Sequence, residues 1–364
     1  MKGLNIYFDN AATTSEFGNP SSPHGIGIFA ERSLIVARRE MAELFGCLEN
    51  EIIFTSGGTE SNNLAIIGFA LANRRQGLRA FAAPWEHPSV TEPLRFAHEM
   101  GIAETTIVPH SEILNAKTSG ISLVSISHVS HETGDIFNVR ELAETLKKDN
   151  PQTIVHVDGV QGFCKEELDL VGVDMYSFSG HKIHGASGVG GLFVRNGIRL
   201  LPILHGGGQE NGIRAGTENV AGIMQTAATA KQLCATREEN RNHVAAVKRE
   251  LSRLLDELPD VFENSLCAKT SPYILNISFA GIKGETLVHL LSEKGVYASM
   301  GAACRSRKKQ KSLLETMGFT KERAESAVRF SFSHKNTIEE AAATREIIVE
   351  FVSQMRRVLG RKGK

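Results

Sequence analysis

The sequence predicts an α/β protein with a mainly parallel sheet, followed by a smaller α+β domain. Between residues 51 and 200, short apolar runs rich in β-branched residues alternate with helical stretches. Apolar runs of this kind, separated by helices, are typical of a parallel sheet that is covered on both faces. After Thr217 the pattern changes to a long helical region rich in alanine and charged residues, followed by a few widely spaced strands.

The elements of the first part can be placed individually. The strand predictions rest on short apolar and β-branched runs at 51–55, 79–83, 121–127, 153–158, 173–178 and 188–194. Helices are predicted at 60–76 and 138–149, where apolar residues recur at helical spacing. Ligands of such sheets bind beyond the carboxyl ends of the strands. Polar residues that directly follow a strand are therefore the candidates for a functional site.

The second part has the sparser pattern of an α+β domain. Helices are predicted at 218–257, 284–294 and 337–359, and strands at 273–279, 296–298 and 327–333. The chain has 364 residues. At about 150 residues per domain, this length indicates two domains. We place a large domain at 13–240 and a small domain at 1–12 and 241–364.

The composition is that of an ordinary globular protein. Lys plus Arg and Asp plus Glu both number 41, so the net charge is zero, which argues against nucleic-acid binding through bulk positive charge. No apolar run approaches the roughly 20 residues of a membrane helix, and the N-terminal segment has no apolar signal core. The five cysteines are too few, and odd in number, for a disulfide framework, and the absence of a CxxC pair argues against a structural zinc site. We therefore expect a cytoplasmic enzyme.

Three glycine-containing segments lie at the ends of predicted strands. SGGTESNN (56–63) joins a strand to a helix, where free backbone amides favour an anion such as phosphate. Asp158 in HVDGVQG (156–162) ends an apolar strand, and Lys182 in SFSGHKIHGASG (177–188) follows another. Each segment has a simple structural explanation when taken alone: a capped glycine turn, a salt-bridged aspartate and a solvated lysine.

Together the three segments supply what pyridoxal phosphate requires of a protein. An acid can pair with the pyridinium nitrogen, a lysine can react with the aldehyde, and an anion site can hold the phosphate. Burial of Lys182 beside a strand end would lower the pKa of its amine and free the amine for reaction. We therefore predict pyridoxal 5'-phosphate as the cofactor.

The sequence resembles the cysteine desulfurases, pyridoxal-phosphate enzymes of the class V aminotransferase branch. Besides the three segments, the resemblance rests on YFDNAATT (7–14), EHPSV (86–90), HGGGQENGIRAGTENV (205–220), GAAC (301–304) and VRFSFS (328–333). These motifs occur in the family's order along nearly the whole chain. The resemblance implies the fold of type I pyridoxal-phosphate transferases: a large domain with a mainly parallel seven-stranded sheet, a smaller α+β domain, and assembly as a homodimer.

The resemblance implies how the cofactor ring would be bound. Lys182 would bind the cofactor aldehyde covalently and later move the α-proton of the substrate. Asp158 would pair with the ring nitrogen, and Gln161 would hydrogen-bond the phenolic oxygen. His87 would stack on the ring and take part in proton transfer.

The remaining matches concern the phosphate and the substrate. The expected phosphate ligands on the same chain are Gly58, Thr59, Ser179 and His181. Thr217 would contribute to the phosphate site of the partner subunit. Arg329 would bind the substrate carboxylate, a task suited to the guanidinium group, and Asn19 would lie near the substrate.

Cys304, in the small domain, matches the family's nucleophile. Its thiolate would take the sulfur of the substrate, which leaves a persulfide on Cys304 and releases alanine. The next segment, RSRKKQK (305–311), places five cations within seven residues. Nearby cations lower a thiol pKa, although a charged run is also typical of a solvated surface. The other cysteines are expected to be packing residues: Cys47, Cys164, Cys234 and Cys267.

Two features depart from the family pattern. Where the family commonly has an asparagine that contacts the phenolic oxygen, the segment HVSHETGD (128–135) has His131. A neutral imidazole can still donate one hydrogen bond, so we predict that His131 binds the phenolic oxygen. The family also has a longer segment after AATT (11–14), where only Ser15 and Glu16 precede FGNPSS (17–22).

The leading interpretation is an L-cysteine desulfurase that supplies sulfur for iron–sulfur cluster or thio-cofactor assembly, through a protein acceptor such as an iron–sulfur scaffold. Two alternatives remain open. One is a selenocysteine lyase or related β-eliminating enzyme, and the other is a partner-binding homologue with altered chemistry. The histidines lack the spacing with a carboxylate that a catalytic metal site requires. We expect no metal, membrane or nucleic-acid partner.

Overall fold

A computed structural model describes residues 6–109, 112–113, 122–300 and 311–358. By its internal contacts the chain divides into two compact units. The first unit comprises Met1–Ala82, Pro88–Ile126 and Val139–Ala235, and the second comprises Ala83–His87, Ser127–Asn138 and Thr236–Lys364. The domain division predicted from the sequence differs: it assigns residues 1–12 to the small domain, and residues 83–87, 127–138 and 236–240 to the large domain.

The first unit is built on a seven-stranded sheet. Its strands are β1 Ile52–Thr55, β2 Arg79–Ala82, β3 Glu104–Ile107, β4 Ser122–Ser127, β5 Thr153–Asp158, β6 Met175–Ser179 and β7 Gly190–Val194. Their spatial order is β1-β7-β6-β5-β4-β2-β3. Strand β7 is antiparallel to β1 and β6, whereas β5 pairs in parallel with β6, and β2 pairs in parallel with β3 and β4. The predicted α/β class with a mainly parallel sheet is confirmed.

Helices cover both faces of this sheet. They are α1 Gly25–Phe45, α2 (Gly58–Asn63, a π-helical turn Leu64–Gly68, and Phe69–Asn73), α3 Pro88–Glu99, α4 Val139–Asp149 and α5 Val220–Ala235. Successive strand residues point to opposite faces. In β1, Ile52 and Phe54 therefore join the core that is shared with α1, α4 and α5, while Ile53 joins the core that is shared with α2 and α3.

The second unit contains a four-stranded antiparallel sheet. Its strands are β8 Val261–Glu263, β9 Ile274–Phe279, β10 Ser299–Met300 and β11 Ala327–Ser331, in the order β10-β11-β9-β8. Its described helices are α6 Arg237–Ser252, α7 Leu254–Glu257, α8 Gly284–Glu293, α9 Leu313–Thr316, α10 Lys321–Glu325 and α11 Ile338–Val358. Leu251, Leu287 and Val352, from three of these helices, pack against strand residues in one buried cluster.

The structure corrects several of the predicted elements. The helix predicted at 218–257 is interrupted at Thr236, between α5 and α6. The strand predicted at 296–298 lies slightly later, at Ser299–Met300. Six described elements were not predicted: α1, α3, α9, α10, β3 and β8. Within the described ranges, no helix is long and apolar enough to cross a membrane.

The sheet register brings three strand ends to one edge of the first unit. Thr55 of β1 and Ser179 of β6 both lie opposite Gly190, the first residue of β7. A Cβ atom added to Gly190 would lie 2.6 Å from the Cα of Gly57 and 2.6 Å from the carbonyl oxygen of Phe178. Because both neighbours are backbone atoms, only glycine allows β7 to pass beneath the loop that begins α2.

We expect Gly190→Ala to destabilise the protein by about 1–3 kcal/mol, the usual cost of overpacking a filled interior. Gly25→Ala is the matched control, because a Cβ added there meets no atom within 4 Å. Urea unfolding followed by circular dichroism measures both variants. Equal free energies of unfolding for Gly190→Ala and the wild type would contradict the close approach of the two backbones.

Candidate active site

The central polar group of the first unit is the carboxylate of Asp158 at the end of β5. Its residue is only 6% exposed. Oδ2 accepts a hydrogen bond from Nδ2 of Asn62 at 2.8 Å, and Oδ1 accepts from the backbone N–H of Val160 at 3.0 Å. Nδ2 of Asn62, on α2, also contacts Oγ of Ser89 at 2.8 Å. These donors orient the carboxylate, and none of them carries a charge.

The start of α2 lies beside the end of β6: a Cβ atom added to Gly58 would lie 3.6 Å from the Cβ of Ser179. Gly58 begins α2 directly after the glycine at which the chain turns, and Thr59 is exposed in the first helical turn. Oγ of the buried Ser179 lies 3.0 Å from Nδ1 of His181. Burial and the charge of Lys182 lower the pKa of His181. The four predicted phosphate ligands on this chain thus lie in one unit, on segments that the sheet register brings together.

Lys182 lies on a 3₁₀ turn, Gly180–Ile183, that directly follows β6 and is called the lysine turn below. The predicted burial of its amine is wrong. Lys182 is exposed, because the turn leaves the sheet at this point. Burial instead affects Lys165, whose pKa is lowered to about 8. Nζ of Lys165 donates to Oε1 of Gln161 at 3.2 Å, so the predicted ligand of the phenolic oxygen already has a charged neighbour.

Two ion pairs hold the loop that contains Thr217 against the same sheet. Arg38 of α1 donates to both oxygens of the buried Glu210 at 2.9 and 2.6 Å, and Oε2 of Glu210 also accepts from the backbone N–H of Phe54 at 2.9 Å. Arg214 pairs with Glu60 of α2 at 2.9 Å. Thr217 itself is exposed. The loop is therefore fixed at two points, with the predicted phosphate ligand for the partner subunit on its surface.

The second unit brings together His87, His131 and Arg329. The rings of His87 and His131 contact edge to face, with centroids 5.1 Å apart. Nη1 of Arg329, on β11, donates to the carbonyl oxygen of His131 at 2.8 Å and lies 3.6 Å from Oε2 of Glu132. Nε of Arg329 is buried and has no hydrogen-bond partner among the described residues. The guanidinium is thus held in place by a carbonyl and a carboxylate, and its side chain stays 25% exposed.

The two remaining predicted site residues are Asn19 and Cys304. Both polar atoms of the Asn19 side chain make local bonds: Oδ1 accepts from the N–H of Ser21 at 2.9 Å, and Nδ2 donates to the carbonyl oxygen of Ala12 at 3.3 Å. This is the turn geometry typical of asparagine. Cys304 and residues 305–310 lie outside the described residues.

The other cysteines have the properties of packing residues. The four described cysteines, Cys47, Cys164, Cys234 and Cys267, form no disulfide bond. Burial raises the pKa of Cys47 to about 12, and burial together with the charge of Asp135 raises the pKa of Cys267. Thiols with raised pKa values are poor nucleophiles at neutral pH.

Sequence reasoning missed the residues that support the site. Asn62 is part of the SGGTESNN segment, four positions after Gly58, and this spacing places both on one face of α2. A helical projection of that segment would have indicated a polar side chain turned toward the strand ends. Lys165 also lies four positions after Gln161, but no helix is predicted between the strands at 153–158 and 173–178, so this spacing did not indicate a contact.

The donor groups of the first unit fit pyridoxal phosphate. A buried carboxylate suits a pyridinium nitrogen, the amides at the start of α2 with nearby hydroxyls suit a phosphate, and an exposed lysine can reach an aldehyde. In the described part of the chain, no group of three or more histidine, cysteine or acidic side chains could hold a metal ion.

Comparison with known proteins agrees with this geometry. The class-V aminotransferase family model matches residues 6–343. A NifS/IcsS protein homolog of Lactobacillus delbrueckii subsp. bulgaricus is 39% identical, covering 92% of this chain and 94% of its own. The cysteine desulfurase IscS of Methanosarcina thermophila is 34% identical, covering 96% of this chain and 93% of its own.

Solved structures show the same relationship. A NifS-like protein superposes with a TM-score of 0.86 at 32% identity, covering 94% of this chain and 93% of its own. A second structure, described as SspA in complex with cysteine, has a TM-score of 0.75 at 27% identity. It covers 88% of this chain and 92% of its own. The family match and these relatives, together with the buried carboxylate and the lysine turn, show that this chain belongs to the cysteine desulfurases, pyridoxal-phosphate-dependent enzymes of the class-V aminotransferase family.

Proposed function

We propose that this enzyme removes sulfur from L-cysteine, giving L-alanine and a persulfide on Cys304. The observation that carries the proposal is the buried Asp158 carboxylate, oriented by Asn62 at the edge where the lysine turn and the start of α2 also lie. In this reaction the bond between the substrate's Cβ and its sulfur breaks, the sulfur forms a bond to the Cys304 thiolate, and Cβ gains a proton.

The residues of the first unit would hold the cofactor in one orientation. When bound, pyridoxal phosphate supplies an electron sink that weakens the bonds at the substrate's α-carbon. Asp158 would keep the ring nitrogen protonated, because an adjacent carboxylate favours the charged form of the base. Lys182 would hold the cofactor aldehyde and move the α-proton. Gly58, Thr59, Ser179 and His181 would bind the phosphate.

The residues of the second unit would act on the substrate side. The Arg329 side chain is 25% exposed, and its guanidinium would donate to the substrate carboxylate. The carbonyl of His131 fixes the guanidinium through a bond of 2.8 Å. His87, in edge-to-face contact with His131, would stack on the cofactor ring and assist proton transfer, and His131 would donate to the phenolic oxygen.

Three further parts of the proposal concern assembly and location. The enzyme would work as a homodimer in which Thr217 binds the partner's phosphate group. Cys304 would pass its sulfur to a protein acceptor such as an iron–sulfur scaffold. A cytoplasmic location accords with the described cysteines, none of which is in a disulfide bond.

The assignment of Lys182 is tested by Lys182→Ala. This variant should lose the absorbance band of the covalently bound cofactor and all turnover of L-cysteine, because no other amine would replace the link. Lys231→Met, which removes a charge from the exposed face of α5, should retain both. Turnover of Lys182→Ala at the wild-type rate would rule out the assignment.

The role of Cys304 is tested by Cys304→Ser. Alanine formation should fall by at least about 10³-fold, the usual scale for loss of a nucleophile, while the spectral change on adding L-cysteine persists. Alanine and persulfide are measured with L-cysteine and with L-selenocysteine as substrates. Full activity of the variant on L-selenocysteine alone would favour a selenocysteine lyase instead.

A further inference from the structure

The chain bends back on itself directly after Asp158. Backbone N–H groups of Phe163 and Glu166 donate to the carbonyl oxygens of Gly159 and Gly162 at 2.8 and 2.9 Å. Cys164 within this bend has φ of 61°, the left-handed region that residues other than glycine seldom adopt. The bend places the side chain of Lys165 beside that of Gln161.

The contact between these side chains fixes the orientation of the Gln161 amide. Nζ of Lys165 lies 3.2 Å from Oε1 of Gln161. A lysine ammonium can only donate, so the amide must present its oxygen to Lys165 and its NH₂ group to the other side. An NH₂ group is what the amide needs in order to donate to the phenolic oxygen of the cofactor.

The charge of Lys165 also acts on its surroundings. The side chain is half-buried, and burial followed by the charge of Lys182 lowers the pKa of Lys165 to about 8. The neighbouring Cys164 and Glu166 act in the opposite direction. The coupling with Lys182 is mutual, since two cations disfavour each other's protonated forms.

We propose that Lys165 is a positioning residue that orients the Gln161 amide toward the cofactor's phenolic oxygen and, through its charge, eases loss of the proton held by the cofactor-linked Lys182. The proposal rests on the proposed function, in that Gln161 and Lys182 contact the cofactor. It goes beyond that function by assigning a role to a residue outside the predicted site.

The hydrogen bond to Gln161 and the charge of Lys165 change the affinity for this proton in the same direction. A donor at the phenolic oxygen and a cation near Lys182 both disfavour a proton that is shared between the Lys182 nitrogen and that oxygen. Lys165→Met removes the charge and the bond to Gln161 but keeps most of the side chain's length. The variant should therefore bind this proton more tightly than the wild type.

The test is a pH titration of the absorbance of the cofactor-loaded protein. Lys165→Met should raise the midpoint pH by about 0.5 or more, a roughly threefold gain in proton affinity. Lys165→Arg restores a cation and a donor and should recover at least part of the change, which a merely structural role would not predict. Lys231→Met, the surface control, should titrate like the wild type.

An unchanged midpoint in Lys165→Met, an equal change in Lys231→Met, or no recovery in Lys165→Arg would overturn the proposal. If Lys165→Met does not fold, as judged by circular dichroism, Lys165→Gln gives the same test of the charge with a smaller loss of polarity. A wild-type protein that binds no cofactor covalently would contradict the proposed function itself, whereas a normal wild type with an unaffected variant would contradict only the role of Lys165.

Discussion

The buried carboxylate of Asp158 is the constraint on which the site depends. Removing an ionised carboxylate from water costs several kcal/mol unless donors and an opposite charge compensate it. Asn62 and the N–H of Val160 supply two neutral donors at 2.8 and 3.0 Å. A pyridinium cation bound at this strand end would supply the opposite charge. Cofactor binding would therefore add a favourable charge pair at this strand end.

The fold concentrates the other requirements around this carboxylate. Helix α2 carries Asn62, which orients Asp158, and it begins at Gly58, where its free amides favour a phosphate. One helix therefore relates the position of the phosphate to that of the ring nitrogen. Strand β7 can approach the start of this helix because Gly190 has no side chain. The ion pair of Arg38 and Glu210 fixes the loop that carries Thr217 to the same sheet.

The sequence predicted the first sheet well because its central strands are largely buried and rich in apolar, β-branched residues, as in TIVHVD of β5. The edge strand β3 was missed because its residues are partly or fully exposed, and β8 because it has only three residues. Motifs located the predicted site residues, whose roles stay predictions. Lys165 could not be found in this way, because it lies in none of the motifs and no helix is predicted around it.

The most direct test of the central claim is the ¹⁵N chemical shift of the ring nitrogen in enzyme loaded with ¹⁵N-labelled pyridoxal phosphate. We expect the shift of a protonated pyridinium in the wild type at neutral pH and above, because the Asp158 carboxylate favours the charged form of the ring. Asp158→Asn should give the shift of a neutral pyridine. A neutral ring nitrogen in the wild type would contradict the account.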